Sequence, residues 1–333
     1  MPYTYFPAIR TKSGESTALS CLTQAEKARI CPILQIVEQT PESFNNAFTS
    51  AWSGGCAILD GSFDASRTGN ASNFIQKFHS LTTNGVNVSP CYVMGADPHY
   101  NSAVQNFLGK NSAPLTIKTS INNIPSMIKF LSDTAIPKKS IILVIDLSDI
   151  SGFYTETFKH FVLESIKNDI NTSEWQSVVL LAGSAPKDHS SLSLGRNIIP
   201  RQEWDLWKFI SSNFSIHYGD YLTLHPDLTP APAIAMTSAT VSVRYTIEDY
   251  WIIYKGVRAS GPNGLPMTSQ YIQHAQNLIK EQEFKILTTS WSDNEILRIA
   301  SMPLGSTKGA GGRTQWAGYS INRHLSLVAA QLP

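Results

Sequence analysis

The residues in this sequence that could do chemistry stand at the ends of apolar runs. Residues 140–146 read Ser-Ile-Ile-Leu-Val-Ile-Asp, and residues 56–60 read Cys-Ala-Ile-Leu-Asp. In both, an aspartate is the first charge after the run. Two carboxylates gathered in one enclosed site shift each other's ionisation, which acid–base catalysis and metal binding both exploit. Lys118 stands near the end of a third run, residues 115–119. Glu15, Lys12, Glu38, Asp149, Ser184, Arg201 and Asp220 occupy comparable positions just past or near the ends of other strand-like segments. Asp60, Asp146 and Glu15 are therefore the candidate acid/base or metal-binding groups. Lys12, Lys118, Arg201 and Asp220 are candidate substrate contacts, since a guanidinium fork matches phosphate or carboxylate.

These residues need a scaffold that brings strand ends together. A run of five apolar residues with no polar alternation is buried on both faces, as in a parallel sheet covered by helices. Strands are predicted near residues 3–10, 30–36, 56–60, 86–94, 115–119, 141–146, 178–183 and 215–221, with helical patterns between them. Eight such units over about 220 residues match a (β/α)8 TIM-type barrel, whose C-terminal strand ends converge on one mouth. An open doubly wound sheet is the alternative, although no glycine-rich dinucleotide fingerprint follows the first strand. His217 and Asp220 should point to opposite faces of the last strand, with His217 in the core. His225, in the loop beyond, is the better candidate for chemistry.

After Asp227 the pattern changes. A proline-rich connector leads to a β-hairpin (239–245 and 250–255), an amphipathic helix at 268–284, and a closing helix at 316–332. The expected division is a barrel at 1–227 with a hairpin-and-helix extension, 228–333, packed on it. Gly305–Gly312 lacks the Ser/Thr that follows lysine in a phosphate-binding loop, and reads as a mobile flap.

Lys+Arg 26 against Asp+Glu 25 leaves a net charge of +1, without the basic excess of a dedicated nucleic-acid binder. No apolar run approaches the roughly 18–20 residues that span a bilayer. The N-terminus lacks signal-peptide regions. Cys21, Cys31, Cys56 and Cys91 include no CxxC pair, and are expected to be unpaired, metal-free thiols of a cytoplasmic protein. No motif specifies a cofactor; a divalent metal on the aspartates remains open.

Several segments carry a family resemblance: residues 5–19 (Tyr-Phe-Pro-Ala-Ile-Arg-Thr-Lys-Ser-Gly-Glu through Ala18-Leu19), Pro32–Ile36, Pro200-Arg201 through Trp204 and Trp207, Tyr218–Tyr221 with His225-Pro226, Val243–Thr246 with Trp251 and Tyr254–Gly256, and Asn322-Arg323-His324. The chain resembles the phage and bacterial "beta protein" family over nearly its whole length. Arg323 stands where that pattern has the first of two histidines. The resemblance implies a role in phage–host conflict and adds Arg244, Tyr245 and His324 as substrate-contact candidates. Two functions follow: a barrel enzyme, such as a hydrolase, acting on a small anionic substrate such as a nucleotide, or a non-catalytic protein that binds a phage or host protein or a small ligand. A glycosidase is a third option, decided by carboxylate separation.

Overall fold

The computed structural model describes residues 3–37, 42–108, 114–230, 240–286 and 290–333. The apolar runs form strands whose side chains alternate between two cores. Ala8–Arg10 (β1), Ile33–Gln35 (β2), Cys56–Asp60 (β3), Asn87–Val93 (β4), Leu115–Thr119 (β5), Ile141–Asp149 (β6), Ser177–Gly183 (β7) and, after the excursion of Gly195–Pro200 (β8), His217–Asp220 (β9) make one eight-stranded sheet. Its neighbours are all parallel. Tyr5 bridges to both Ile30 and Tyr218, and the Phe6 N–H donates to the Tyr218 carbonyl at 2.9 Å. The last strand thus returns to the first segment, giving a nearly closed (β/α)8 barrel instead of an open sheet.

Period-two alternation decides what faces where. Ala8, Ile33, Ile58, Cys91, Val144, Leu181 and Tyr221 fill the barrel interior. Ile9, Leu34, Leu59, Leu143, Leu180 and Tyr218 lie on the outer face, under the helices. Those helices bury stripes at three- and four-residue spacing. In Glu42–Trp52, the buried Phe44, Phe48 and Trp52 stack successively with ring centroids 5.7 and 5.6 Å apart. Burying each such side chain contributes about 1.5–3 kcal/mol, so Phe48→Ala would cost about 3–5 kcal/mol.

Thr240–Thr246 (β10) and Tyr250–Arg258 (β11) form the expected hairpin, and β8 adds to β11 as a third antiparallel strand. The small sheet therefore takes one strand from before residue 227. Helices Met267–Leu278, Trp291–Ala300 and Arg313–Gln331 build a second core against it. The terminal helix, Arg313–Gln331, also crosses Ser13–Ser20 at close range. A Cβ on Gly14 would stand 3.0 Å from the Thr314 carbonyl, and one on Gly318 3.1 Å from the Gly14 carbonyl, so only hydrogen fits comfortably at either position.

The glycine-rich segment 305–312 is tied down and is not a free flap. Ala310 is fully buried in the second core, the Trp316 indole donates to its carbonyl at 2.8 Å, and Arg298 donates to the Gly309 carbonyl. Left-handed backbone at Gly309 and Gly311 lets the chain make this descent.

Candidate functional site

Carried to the C-terminal strand ends, the alternation directs Arg10, Gln35, Asp60, Lys118, Asp146 and Tyr221 inward. Lys118 lies between the two aspartates. Its ammonium donates to Asp60 Oδ2 in a very short contact and stands 3.8 Å from Asp146 Oδ2. Ser62 supplies two further donors to Asp60, from its N–H at 3.0 Å and its hydroxyl at 2.6 Å. Burial pushes Asp60 up, but Lys118 and Ser62 outweigh it and hold the carboxylate below its ordinary range. Burial likewise pulls Lys118 down, and the two aspartates reverse this, leaving the ammonium above its ordinary value. The Tyr221 hydroxyl donates to both oxygens of Asp146 at 2.8 Å. Burial and then Asp146 raise that phenol well above its usual value, so it remains neutral.

Asp146 is the more accessible carboxylate, with its side chain 16% exposed against 3% for Asp60. The strand is irregular just beyond it: register shifts between Asp146 and Asp149, and Ser148 adopts φ 55°. Leu222, next to Tyr221, has φ 59°. Left-handed backbone costs a non-glycine residue about 1–3 kcal/mol and concentrates at functional sites. The Ser148 N–H donates to Asp146 Oδ1 at 2.8 Å, so the distortion itself anchors the carboxylate.

A loop after β9, residues 222–228, crosses this mouth. Pro226 seats against Gly183, where an added Cβ would come within 2.7 Å of the proline ring. Arg10 donates to the carbonyls of His225 (2.7 Å) and Asp227 (3.0 Å), and Arg244 to that of Thr223 (2.7 Å). His225 Nδ1 accepts the Asp227 N–H at 3.1 Å, so a neutral imidazole carries its proton on Nε2, facing Asp149 Oδ2 at 3.2 Å. With both nitrogens engaged, His225 is a loop fastener.

Arg244 also donates to His189 Nε2 at 3.1 Å. Burial and the charge of Arg10 lower its guanidinium to about 10. Among the described residues, neither Arg10 nor Arg244 hydrogen-bonds a carboxylate. Burial lowers the Arg10 guanidinium, while Glu15 and Asp227 act on its charge through space in the opposite direction. Gln35, 4% exposed, has a buried Oε1 with no partner among the described residues. A donor on a bound molecule would satisfy it.

The structure does not gather all the expected residues here. Glu38 lies outside the described residues. Glu15 is buried in the first turn of Ser13–Ser20, its carboxyl raised by burial against the opposing pull of Arg10 and Lys12. Lys12 is exposed before that helix. Ser184, Arg201 and Asp220 belong to a buried network outside the barrel wall. Asp220 shares the outward face of Tyr218, because the two are separated by two residues. It accepts from Tyr5 (2.8 Å) and from the Leu222 N–H (3.0 Å), and meets His324 Nε2 at 2.6 Å. Burial holds His324 below its ordinary value, so it is neutral and donates to an ionised Asp220. Its Nδ1 pairs with the Thr246 hydroxyl at 3.0 Å. Arg201, 1% exposed, contacts Glu203 at 3.4 Å, the Glu248 carbonyl at 2.7 Å and the Tyr218 hydroxyl at 3.3 Å. Ser184 donates to the other oxygen of Glu203.

Tyr245 lies deeper in the second core, donating to Asp293 at 3.0 Å. Arg323, the departure from the family pattern, pairs with Asp293 at 3.1 Å and lies over the Tyr245 ring. Its neighbour Asn322 joins Ala18 to Ser292. The triplet is thus a structural clamp between barrel and extension.

Sequence reasoning missed Arg10, Gln35 and Tyr221 as mouth residues. The available signal was phase: each stands in step with a buried inward residue. Among the described residues no group of three or more His, Cys, Asp or Glu side chains is placed to hold a metal ion. The cation between Asp60 and Asp146 is the protein's own lysine.

Fold and site together define a barrel protein with a charged, loop-covered mouth. The chain belongs to the Beta protein family, which matches residues 5–330. No curated protein and no solved structure matches it. Among the described residues no helix is long and apolar enough to cross a membrane.

Proposed function

We propose that the barrel mouth binds a small anionic molecule, of nucleotide or sugar-phosphate type, and transforms it by acid–base chemistry. The observation that carries this reading is the convergence of Asp60, Lys118, Asp146 and Tyr221 at the barrel end crossed by the loop 222–228, which Arg10 and Arg244 hold by its carbonyls without bonding a described carboxylate. Arg10 and Arg244 attract the anion, and Gln35 Oε1 accepts a donor from it. Asp146, the more accessible carboxylate, exchanges a proton with the substrate, while Lys118 stabilises negative charge as it develops. Tyr221 orients Asp146. The loop 222–228 must shift to admit the substrate, and then excludes water.

A calorimetric titration against nucleoside phosphates, sugar phosphates and dicarboxylates, followed by product analysis, tests this. Binding should fall at least about tenfold in Arg10→Ala, which removes a charge-assisted contact. Turnover should disappear in Asp146→Asn. Ligands that bind Arg10→Ala and Arg244→Ala as tightly as wild type would refute the site assignment.

A second reading is favoured by the mutual satisfaction of Lys118 and the aspartates, which leaves no free base at rest. In it the mouth only sequesters its ligand, and the titration would show binding without product. The family resemblance supports a setting in phage–host conflict, tested by comparing phage infection in cells with and without the Asp146→Asn variant.

A further inference from the structure

At the opposite end of the barrel from the mouth, Cys31 and Cys56 face each other across neighbouring strands. Each stands two residues before the register pair Ile33–Ile58, and the ladder continues to them through the Ile58 N–H and the Pro32 carbonyl at 2.9 Å. Their sulfurs are 3.3 Å apart, with the Cys31 thiol donating to Cys56. Adjacent strands lie about 4.8 Å apart, inside the range of Cα separations that a disulfide spans. Both thiols are free, Cys31 fully buried and Cys56 6% exposed, with the half-buried Tyr3 packed against them. Cys91 lies towards the mouth, where Asp60 and Lys118 act on it, and Cys21 is outside the barrel interior.

We propose that Cys31 and Cys56 form a thiol–disulfide modification site, closed reversibly by a small peroxide that reaches the barrel floor past Tyr3. The donated Cys31 hydrogen bond favours thiolate at Cys56, while burial strongly favours the thiol at Cys31. The thiolate is the nucleophile of such chemistry, so Cys56 reacts first. Its sulfur attacks one oxygen of hydrogen peroxide, the O–O bond breaks, and hydroxide leaves, giving a sulfenic acid at Cys56. The Cys31 sulfur then attacks that of Cys56, and its own proton leaves with the departing hydroxyl as water. Altogether two thiols lose two electrons and two protons, and one peroxide becomes two waters. The bridge staples β2 to β3, the strands whose far ends carry Gln35 and Asp60.

The test is oxidation of the purified full chain with hydrogen peroxide, followed by alkylation and peptide mapping without reduction. The expected result is one Cys31–Cys56 cross-link, reversed by dithiothreitol and formed roughly tenfold faster than oxidation of Cys21 or Cys91. In Cys31→Ala, which lacks both the resolving thiol and the hydrogen bond that favours the Cys56 thiolate, sulfenic acid should form at Cys56 more slowly than the wild-type cross-link but persist, and be trapped there by dimedone; in Cys56→Ala, Cys31 should stay unmodified. These smaller side chains are chosen for folding, which circular dichroism checks. If Cys31→Ala fails to fold, the wild-type cross-link map decides alone. A bridge involving another cysteine, or a pair that remains reduced while Cys21 oxidises, would overturn the proposal.

Discussion

The mouth cluster makes an ordered prediction about stability. Replacing Lys118 with methionine keeps the volume and removes the cation that pairs with both Asp60 and Asp146. At the 3.8 Å separation from Asp146, and with an effective dielectric near 20, one such attraction is worth about 4 kcal/mol before desolvation is subtracted. Asp60 is closer still and 3% exposed, so the variant strands a buried carboxylate next to a second one. Breaking a buried pair in this way costs about 3–5 kcal/mol. Asp60→Asn should cost less, about 2–3 kcal/mol, because Lys118 keeps Asp146 as its partner and asparagine keeps the Ser62 hydrogen bonds. Asp146→Asn should cost least, about 1 kcal/mol, since that side chain is partly solvated and Tyr221 still has an acceptor. Urea denaturation at pH 7.5 measures all three. The double variant Lys118→Met with Asp60→Asn should recover at least about 1 kcal/mol relative to the sum of the singles. If Asp146→Asn proves the most damaging, or the double variant is additive, the lysine is not the keystone of the mouth.

Other consequences are equally direct. Asp146→Asn should abolish ligand turnover while leaving the melting temperature within a few degrees of wild type; unfolding instead would make Asp146 a structural residue. Burial raises Glu203 from its ordinary value near 4.5 to about 7, against the opposing pull of Arg201 and Ser184. The folded protein then binds more protons than the unfolded one between those values, so this group makes stability fall as pH rises from 5 to 8, by about 3 kcal/mol. Stability of wild type minus that of Glu203→Gln, measured by denaturation across this range, should drop by that amount; a constant difference would contradict it. His324→Ala should destabilise by about 3–5 kcal/mol at pH 7, since it leaves Asp220 buried without its main donor, and Asp220→Asn in the same chain should restore part of that loss. A titration in which His324→Ala is as stable as wild type would remove the clamp from the account.

The sequence by itself determined the eight barrel strands, their order along the chain and the barrel class. It could do so because a strand buried on both faces must be apolar throughout, and because eight strand–helix units suit one closed sheet. It also placed Asp60, Lys118 and Asp146 at strand ends, since an apolar run stops where solvent or a partner begins. The hairpin after residue 239 was legible for the same local reason, its density of β-branched and aromatic residues.

What sequence reading could not decide was direction and distance. Asp220 was legible as a strand-end carboxylate, but a shift of one residue in phase separates the barrel interior from the helix layer. Its in-step neighbour Tyr218 carries it outward to His324, 104 positions away. Arg201 looked like an anion clamp because nothing local reveals that Glu203, Tyr218 and the Glu248 carbonyl surround it. Arg10 and Gln35 looked like ordinary strand residues until the pairing of β1, β2 and β3 set Arg10 beside Gln35 and Gln35 beside Asp60. The contact of Cys31 with Cys56 likewise depends on the register of two parallel strands, between which the helix Glu42–Trp52 lies along the chain. Side-chain type is a property of the chain, whereas which charges neutralise one another depends on strand register and barrel closure, and these are set only when the whole sheet is assembled.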